Sequence, residues 1–168
     1  LNTCIAAGVS TDHEALNGEE LLARLRAGCN VMMREGSSAR SLNELLKPVL
    51  EKKLDTSNLS IVTDDLHTID LDATGHLDES VRTALKAGVD FVTAIQMVTV
   101  NAARAFELER FVGVLAPGRR ADINLTTGPE DFRVDTVIAG GRMVAQGGKS
   151  VVHYPVAEHD PILLNTVH

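Results

Sequence analysis

Two short polar clusters carry the residue types that hydrolytic chemistry needs. Thr11-Asp12-His13-Glu14 follows the apolar step Val9-Ser10, and Thr63-Asp64-Asp65-Leu66-His67 follows the apolar run Leu59-Ser60-Ile61-Val62. A neutral imidazole at His13 and a carboxylate at Asp64 form a ligand set suited to zinc, iron or manganese. A carboxylate beside such a metal also accepts a proton from water activated there. Glu14, adjacent to His13, is placed to shuttle a proton between that water and a substrate. Each residue taken singly has an ordinary structural role: a capping Asp, a helix-entry acid favoured by the helix dipole, an unremarkable His. Their joint occurrence in two loops of the same kind favours a site.

A third cluster, Arg34-Glu35-Gly36-Ser37-Ser38, ends the apolar run Val31-Met32-Met33. Arg34 reads equally as a hydrogen-bond donor to a substrate heteroatom and as the ion-pair partner of a carboxylate. The Gly-Ser run is too short and irregular for a phosphate loop. His67 falls on the third loop, in reach of a bound substrate. His76 lies at a helix start, and His153, His159 and His168 lie in the C-terminal stretch. These four receive structural readings.

Repeated elements must position these loops. An opening helix closes at Gly8, and a second, about 19–27, carries Leu21, Leu22 and Leu25 and stops at Gly28. A third, about 41–53, carries Leu42, Leu45, Leu46, Val49 and Leu50, with Pro48 placed to kink it. A fourth spans about 76–87 and closes at Gly88. With strands expected near Val9, Val31 and Ile61, three strand–helix cycles predict an α/β fold with a parallel sheet and right-handed crossovers. In a (β/α)8 barrel the site is built just past the C-terminal strand ends, where all three clusters fall. A barrel needs eight such units, so these are expected to be its last ones.

After a helix at about 93–106 the pattern changes. Ala121-Asp122-Ile123-Asn124-Leu125 alternates like a half-buried strand, and 136–139 and 142–145 form a hairpin on Gly140-Gly141. The expected organisation is barrel units over 1–110, part of a small β domain over 111–150, and an extended linker or tail over 151–168.

Composition bounds the function. The chain has 168 residues, a net charge of −7 and 3% aromatics, which argues against a duplex-binding surface or a base-stacking platform. No run approaches the roughly 18 apolar residues of a membrane span. Two Cys, among apolar or small neighbours, argue against a disulfide scaffold or a Cys-type zinc site and suit a reducing, cytoplasmic compartment. The chain opens at Leu1 in mid-pattern and reads as a piece of a longer protein.

The clusters also carry a resemblance. Val9 to Glu14, Met33 to Ser37 and Val62 to Asp65 resemble the matching segments of bacterial adenine deaminases in the amidohydrolase superfamily, as do Gly75 to Asp78 and Ala94 to Ala103. The run Gly113 to Asp122 is similar to a superfamily segment where the barrel hands over to a small β-sandwich. The resemblance covers nearly the whole chain to about residue 150. It implies the C-terminal part of a (β/α)8 metal-dependent hydrolase barrel, followed by part of a small β-sandwich domain. It also implies a binuclear iron or manganese centre, with zinc an option, and conversion of adenine and water to hypoxanthine and ammonia in purine salvage. His13 matches a metal-ligand His after the sixth strand and Asp64 a metal-ligand Asp after the eighth. In that scheme Asp64 takes the proton of the attacking water and Glu14 protonates the ring. The His-x-His motif of the superfamily's first strand does not occur in this sequence. The chain is therefore expected to be inactive alone and to need the missing N-terminal half, within a homo-oligomer. Its substrate is expected to be a small molecule, with no nucleic acid or membrane partner. Two rival readings remain: an amidohydrolase acting on another cyclic amide, and a non-catalytic module associating through exposed apolar surface.

Overall fold

Strand and helix alternate through the first half of the chain. In the computed structural model, which describes residues 1–153, α1 (Asn2–Ala6) leads to β1 (Thr11–Asp12), α2 (Gly18–Arg26), β2 (Asn30–Arg34), α3 (Leu42–Glu51) and β3 (Leu59–Val62). The strands form a parallel sheet in the order β1-β2-β3, with Asp12 opposite Val31 and Arg34 opposite Val62. Val31, Met33, Leu59 and Ile61 are buried, and so is Ser60 between the last two. Burial of consecutive residues on β3 is the mark of a strand covered on both faces.

Helix entry and packing follow the sequence signals. Asn17 caps α2 by accepting the Glu20 amide, and Glu20 reaches back to the Leu16 amide and the Asn17 side chain. This reciprocal arrangement satisfies donors that the first turn leaves free. α3 buries Leu42, Leu45, Leu46 and Val49, each such side chain contributing about 1.5–3 kcal/mol on burial. α3 runs on through Pro48, whose ring faces Gly18; a Cβ there would lie 2.9 Å from Pro48 Cγ.

Beyond β3 come α4 (Thr68–Thr74), α5 (Leu77–Lys86), α6 (Phe91–Val98) and α7 (Val100–Ala105). Three details differ from the sequence expectation. The first strand begins at Thr11, past Val9, which is 46% exposed. Helix α4 was not expected; it is short and none of its residues is buried, so it has no apolar period to read. The single helix expected over 93–106 is two, broken at Thr99 (φ −130°, ψ −90°), whose hydroxyl donates to the Ile95 carbonyl at 2.6 Å.

The later chain forms an antiparallel sheet, β4 (Ile123–Thr126), β5 (Val134–Ala139), β6 (Arg142–Gln146) and β7 (Lys149–Ser150), paired in that order. Gly140 (φ 56°) and Gly141 (φ 79°) make the expected tight turn between β5 and β6; both need the left-handed region that glycine adopts freely. Arg82 ties this region to α5. Its guanidinium bonds Asp78 and Glu79, each at 2.7 Å, and the carbonyls of Thr74 (2.7 Å) and Phe132 (3.1 Å). The Phe132 ring packs edge-on to Phe91 at 6.0 Å between centroids. Among the described residues no helix is long and apolar enough to cross a membrane. Cys4 and Cys29 are both free thiols. The tail expected over 151–168 lies, past residue 153, outside the described residues, as do His159 and His168.

Candidate active site

The parallel register brings His13, Glu14, Arg34 and Asp64 together past the C-terminal ends of the three strands. β1 ends at Asp12, β2 at Arg34 and β3 at Val62, so each strand delivers its polar loop to the same edge. Arg34 is the centre of the group. Its side chain is 11% exposed, with Nη2 3.1 Å from Glu14 Oε2 and Nη1 3.4 Å from Asp64 Oδ2. Glu14 Oε1 in turn lies 3.4 Å from His13 Nε2. The result is a linear array, His13–Glu14–Arg34–Asp64, one cation spanning two carboxylates. Arg34 Nε is buried without a hydrogen-bond partner among the described residues. Such a fixed fork suits two carboxylates better than a point-like ammonium does.

Neighbouring residues hold these groups. The Asp12 carboxylate accepts the Glu14 amide at 2.9 Å and pairs with Arg24 at 2.5 Å, which anchors the first loop to α2. Asp64 adopts φ +58°, a left-handed conformation that Asp tolerates better than most residues. Non-glycine residues held in sparsely populated backbone regions concentrate at functional sites. The loop after β2 grips the loop after β3. The Ser37 amide donates to the Asp65 carbonyl at 3.1 Å, and the Ser38 and Ala39 amides donate to the Asp65 carboxylate at 3.1 and 3.4 Å. The His67 amide donates to the Ser37 hydroxyl at 2.8 Å. Gly36 must be glycine here: a Cβ would run into the Asp65 carboxylate and lie 2.5 Å from the Thr63 carbonyl oxygen.

Two acids beside the site are perturbed in opposite directions. Hydrogen bonding, first from the Ser38 side chain and then from the loop amides, holds the Asp65 carboxyl below its ordinary value. Burial pushes the Glu35 carboxyl up, against the opposing pull of Arg40 and the Leu42 amide.

His67 is placed differently from the other candidates. It is the exposed residue that precedes α4, engaged through its backbone amide, without a side-chain cap to the helix. His76 occupies the same position before α5. Sequence reasoning did not find the role of Asp65 or of Ser37. The doubled acid in Thr63-Asp64-Asp65 was the signal for the first, and a lone Ser gave none for the second.

As donors, His13 and Asp64 fit a borderline transition metal, one offering an imidazole nitrogen and the other carboxylate oxygens. Asp64 engages Arg34 through Oδ2 and, like any carboxylate, has a second oxygen to give. The donor number is short: among the described residues no three His, Cys, Asp or Glu side chains gather into a metal-binding group.

Residues 1–144 match the amidohydrolase family, and the chain belongs to that family. The family is metal-dependent, so a metal cofactor goes with the membership. Among its relatives are an adenine deaminase of Desulforamulus reducens, 38% identical over 167 residues, and one of Ruegeria pomeroyi, 40% identical over 164. These alignments take in 99% and 98% of this chain but 28% and 27% of the relatives, so the chain spans little more than a quarter of their length. The fold resembles that of a β-aspartyl dipeptidase from Fervidobacterium islandicum, with a TM-score of 0.65 at 19% identity over 86% of this chain and 41% of that one. It also resembles an N-acetylglucosamine-6-phosphate deacetylase from Pasteurella multocida, with a TM-score of 0.54 at 14% identity over 86% of this chain and 53% of that one.

Proposed function

We propose that this chain is a segment of a metal-dependent aminohydrolase that converts adenine and water to hypoxanthine and ammonia, a purine-salvage reaction. The reading is carried by the array His13–Glu14–Arg34–Asp64, gathered past the ends of three adjacent parallel strands. Similarity to adenine deaminases along essentially the whole chain supports the choice of substrate. The segment would supply the last three units of a (β/α)8 barrel over residues 1–110 and part of a small β-sandwich over 111–150.

In this reading His13 and Asp64 would hold an iron or manganese centre, binuclear in the intact enzyme, with zinc an option and the other ligands coming from the rest of the enzyme. Such a centre lowers the pKa of bound water and polarises the bond under attack. Asp64 takes the proton of the attacking water. Glu14 protonates the purine ring, which favours loss of ammonia. Arg34 bridges Glu14 and Asp64, holding the two carboxyl groups in place, and presents its remaining N–H groups to a heteroatom of the base. His67, on the exposed side of the third loop, contacts the substrate's edge. The enzyme works as a cytoplasmic homo-oligomer.

The chain alone should release no ammonia from adenine, since two donors cannot fix a binuclear centre. Grafting residues 1–168 in place of the matching segment of the Desulforamulus reducens enzyme, with iron or manganese supplied, should restore release. His13→Ala or Asp64→Ala should then abolish it, while His153→Ala should not. A metal-loaded graft that hydrolyses another cyclic amide and leaves adenine untouched would favour the other-amidohydrolase reading.

A further inference from the structure

We infer that Asp65 is a positioning residue: by binding the loop after β2 it fixes the backbone of Asp64 and so aims the Asp64 carboxylate. The inference rests on the proposed role of Asp64, and four observations carry it. Asp64 is in a left-handed conformation, uncommon outside glycine although Asp enters it more readily than most residues. The next residue, Asp65, is bonded on both its side chain and its backbone carbonyl to the facing loop, through the amides of Ser37, Ser38 and Ala39. Gly36 has no side chain where one would collide with the Asp65 carboxylate and the Thr63 carbonyl, so the two loops close to backbone contact on either side of Asp64. The His67 amide bonded to Ser37 Oγ closes the far end of the loop. Asp64 is therefore clamped from Thr63 to His67, while its own carboxylate faces Arg34. A carboxylate that must meet a metal or a proton within a few tenths of an ångström needs such a support, and a loop without one leaves it loose.

The test uses Asp65→Ala, Asp65→Asn and Gly36→Ala, the last reaching the same contact from the other loop. In the 168-residue chain, hydrogen exchange at the Ser38 and Ala39 amides should accelerate at least tenfold in Asp65→Ala, with the amides of β2 and β3 changed less than twofold. The carboxyl carbon signal of Asp64 should move. In the grafted enzyme described above, kcat for adenine should fall at least twentyfold with KM changed less than threefold. Asp65→Asn, which keeps one acceptor oxygen, should fall between, and Gly36→Ala should reproduce the loss. A merely structural role would lower the melting temperature and leave kcat of the folded fraction within twofold; that result overturns the inference. If the unsubstituted graft does not turn over adenine, the functional reading fails on its own account. The chain then decides the positioning claim: a moved Asp64 signal sustains it, and an unmoved signal with unchanged amide exchange overturns it.

Discussion

Arg34 joins what the sequence could only present separately. Its guanidinium is nearly buried between Glu14 and Asp64, so its removal leaves the partly buried Asp64 carboxylate without its cation. Arg34→Met should cost about 1 kcal/mol or less, because water reaches both carboxylates once the guanidinium is gone. Arg34→Lys should recover only part of this, because one ammonium cannot span both carboxylates. Urea unfolding of the three chains measures both effects. Glu35, one residue on, tests the electrostatics with a definite sign. Burial raises its folded-state pKa above the unfolded value, so the folded chain binds more protons in the window between the two. Stability therefore falls as pH rises through that window. Glu35→Gln should flatten this fall and leave the mutant relatively more stable at neutral pH, as urea midpoints across the acid range would report. At this scale the residue types were legible: His13, Glu14 and Asp64 stood out by chemistry and by their place after strands. The partnership of Arg34 with both acids was not, because a contact between positions 14, 34 and 64 depends on strand register. The left-handed backbone of Asp64 was likewise invisible: Asp enters that region more readily than most residues, but nothing in the sequence says which Asp does so.

Among the elements, β3 and α7 show how the parallel sheet is fixed behind the site. Asn101, 4% exposed on α7, donates through Nδ2 to the carbonyls of Thr56 (2.7 Å) and Leu59 (3.0 Å) at the entry to β3. It joins the Leu59 amide on the Thr56 carbonyl and ties that turn to the first residue of β3. Asn101→Ala should destabilise the chain by about 1–3 kcal/mol. Hydrogen exchange at the β3 amides should rise with it, and unchanged exchange would contradict this role. The helices α2, α3 and α5 were legible because their apolar residues recur at helical spacing and glycines or caps mark their ends. The onset of β1 was read two residues early, since Val9 is apolar but exposed and pairing starts at Thr11. The break at Thr99 is not legible in the sequence because the β-branched run Val98-Thr99-Val100 lowers helix propensity only slightly, and the hydroxyl bond to Ile95 leaves no trace in periodicity.

The molecule as a whole pairs a parallel three-stranded sheet and its helices with an antiparallel sheet, held by Arg82 and by Phe132 against Phe91. Its α/β character and its order of elements follow from the alternation of apolar runs with amphipathic helices. Among the described residues no three His, Cys, Asp or Glu side chains gather into a metal-binding group, so the proposed centre takes donors beyond His13 and Asp64. The most direct test is ammonia release from adenine by the purified chain and by the same residues grafted into the Desulforamulus reducens enzyme, both loaded with manganese. Turnover by the graft, abolished by Asp64→Ala, with none above background from the chain alone, is the expected result. Sustained release by the chain alone, or a folded, metal-loaded graft that is silent on adenine, would contradict the assignment of these residues to a shared deaminase centre.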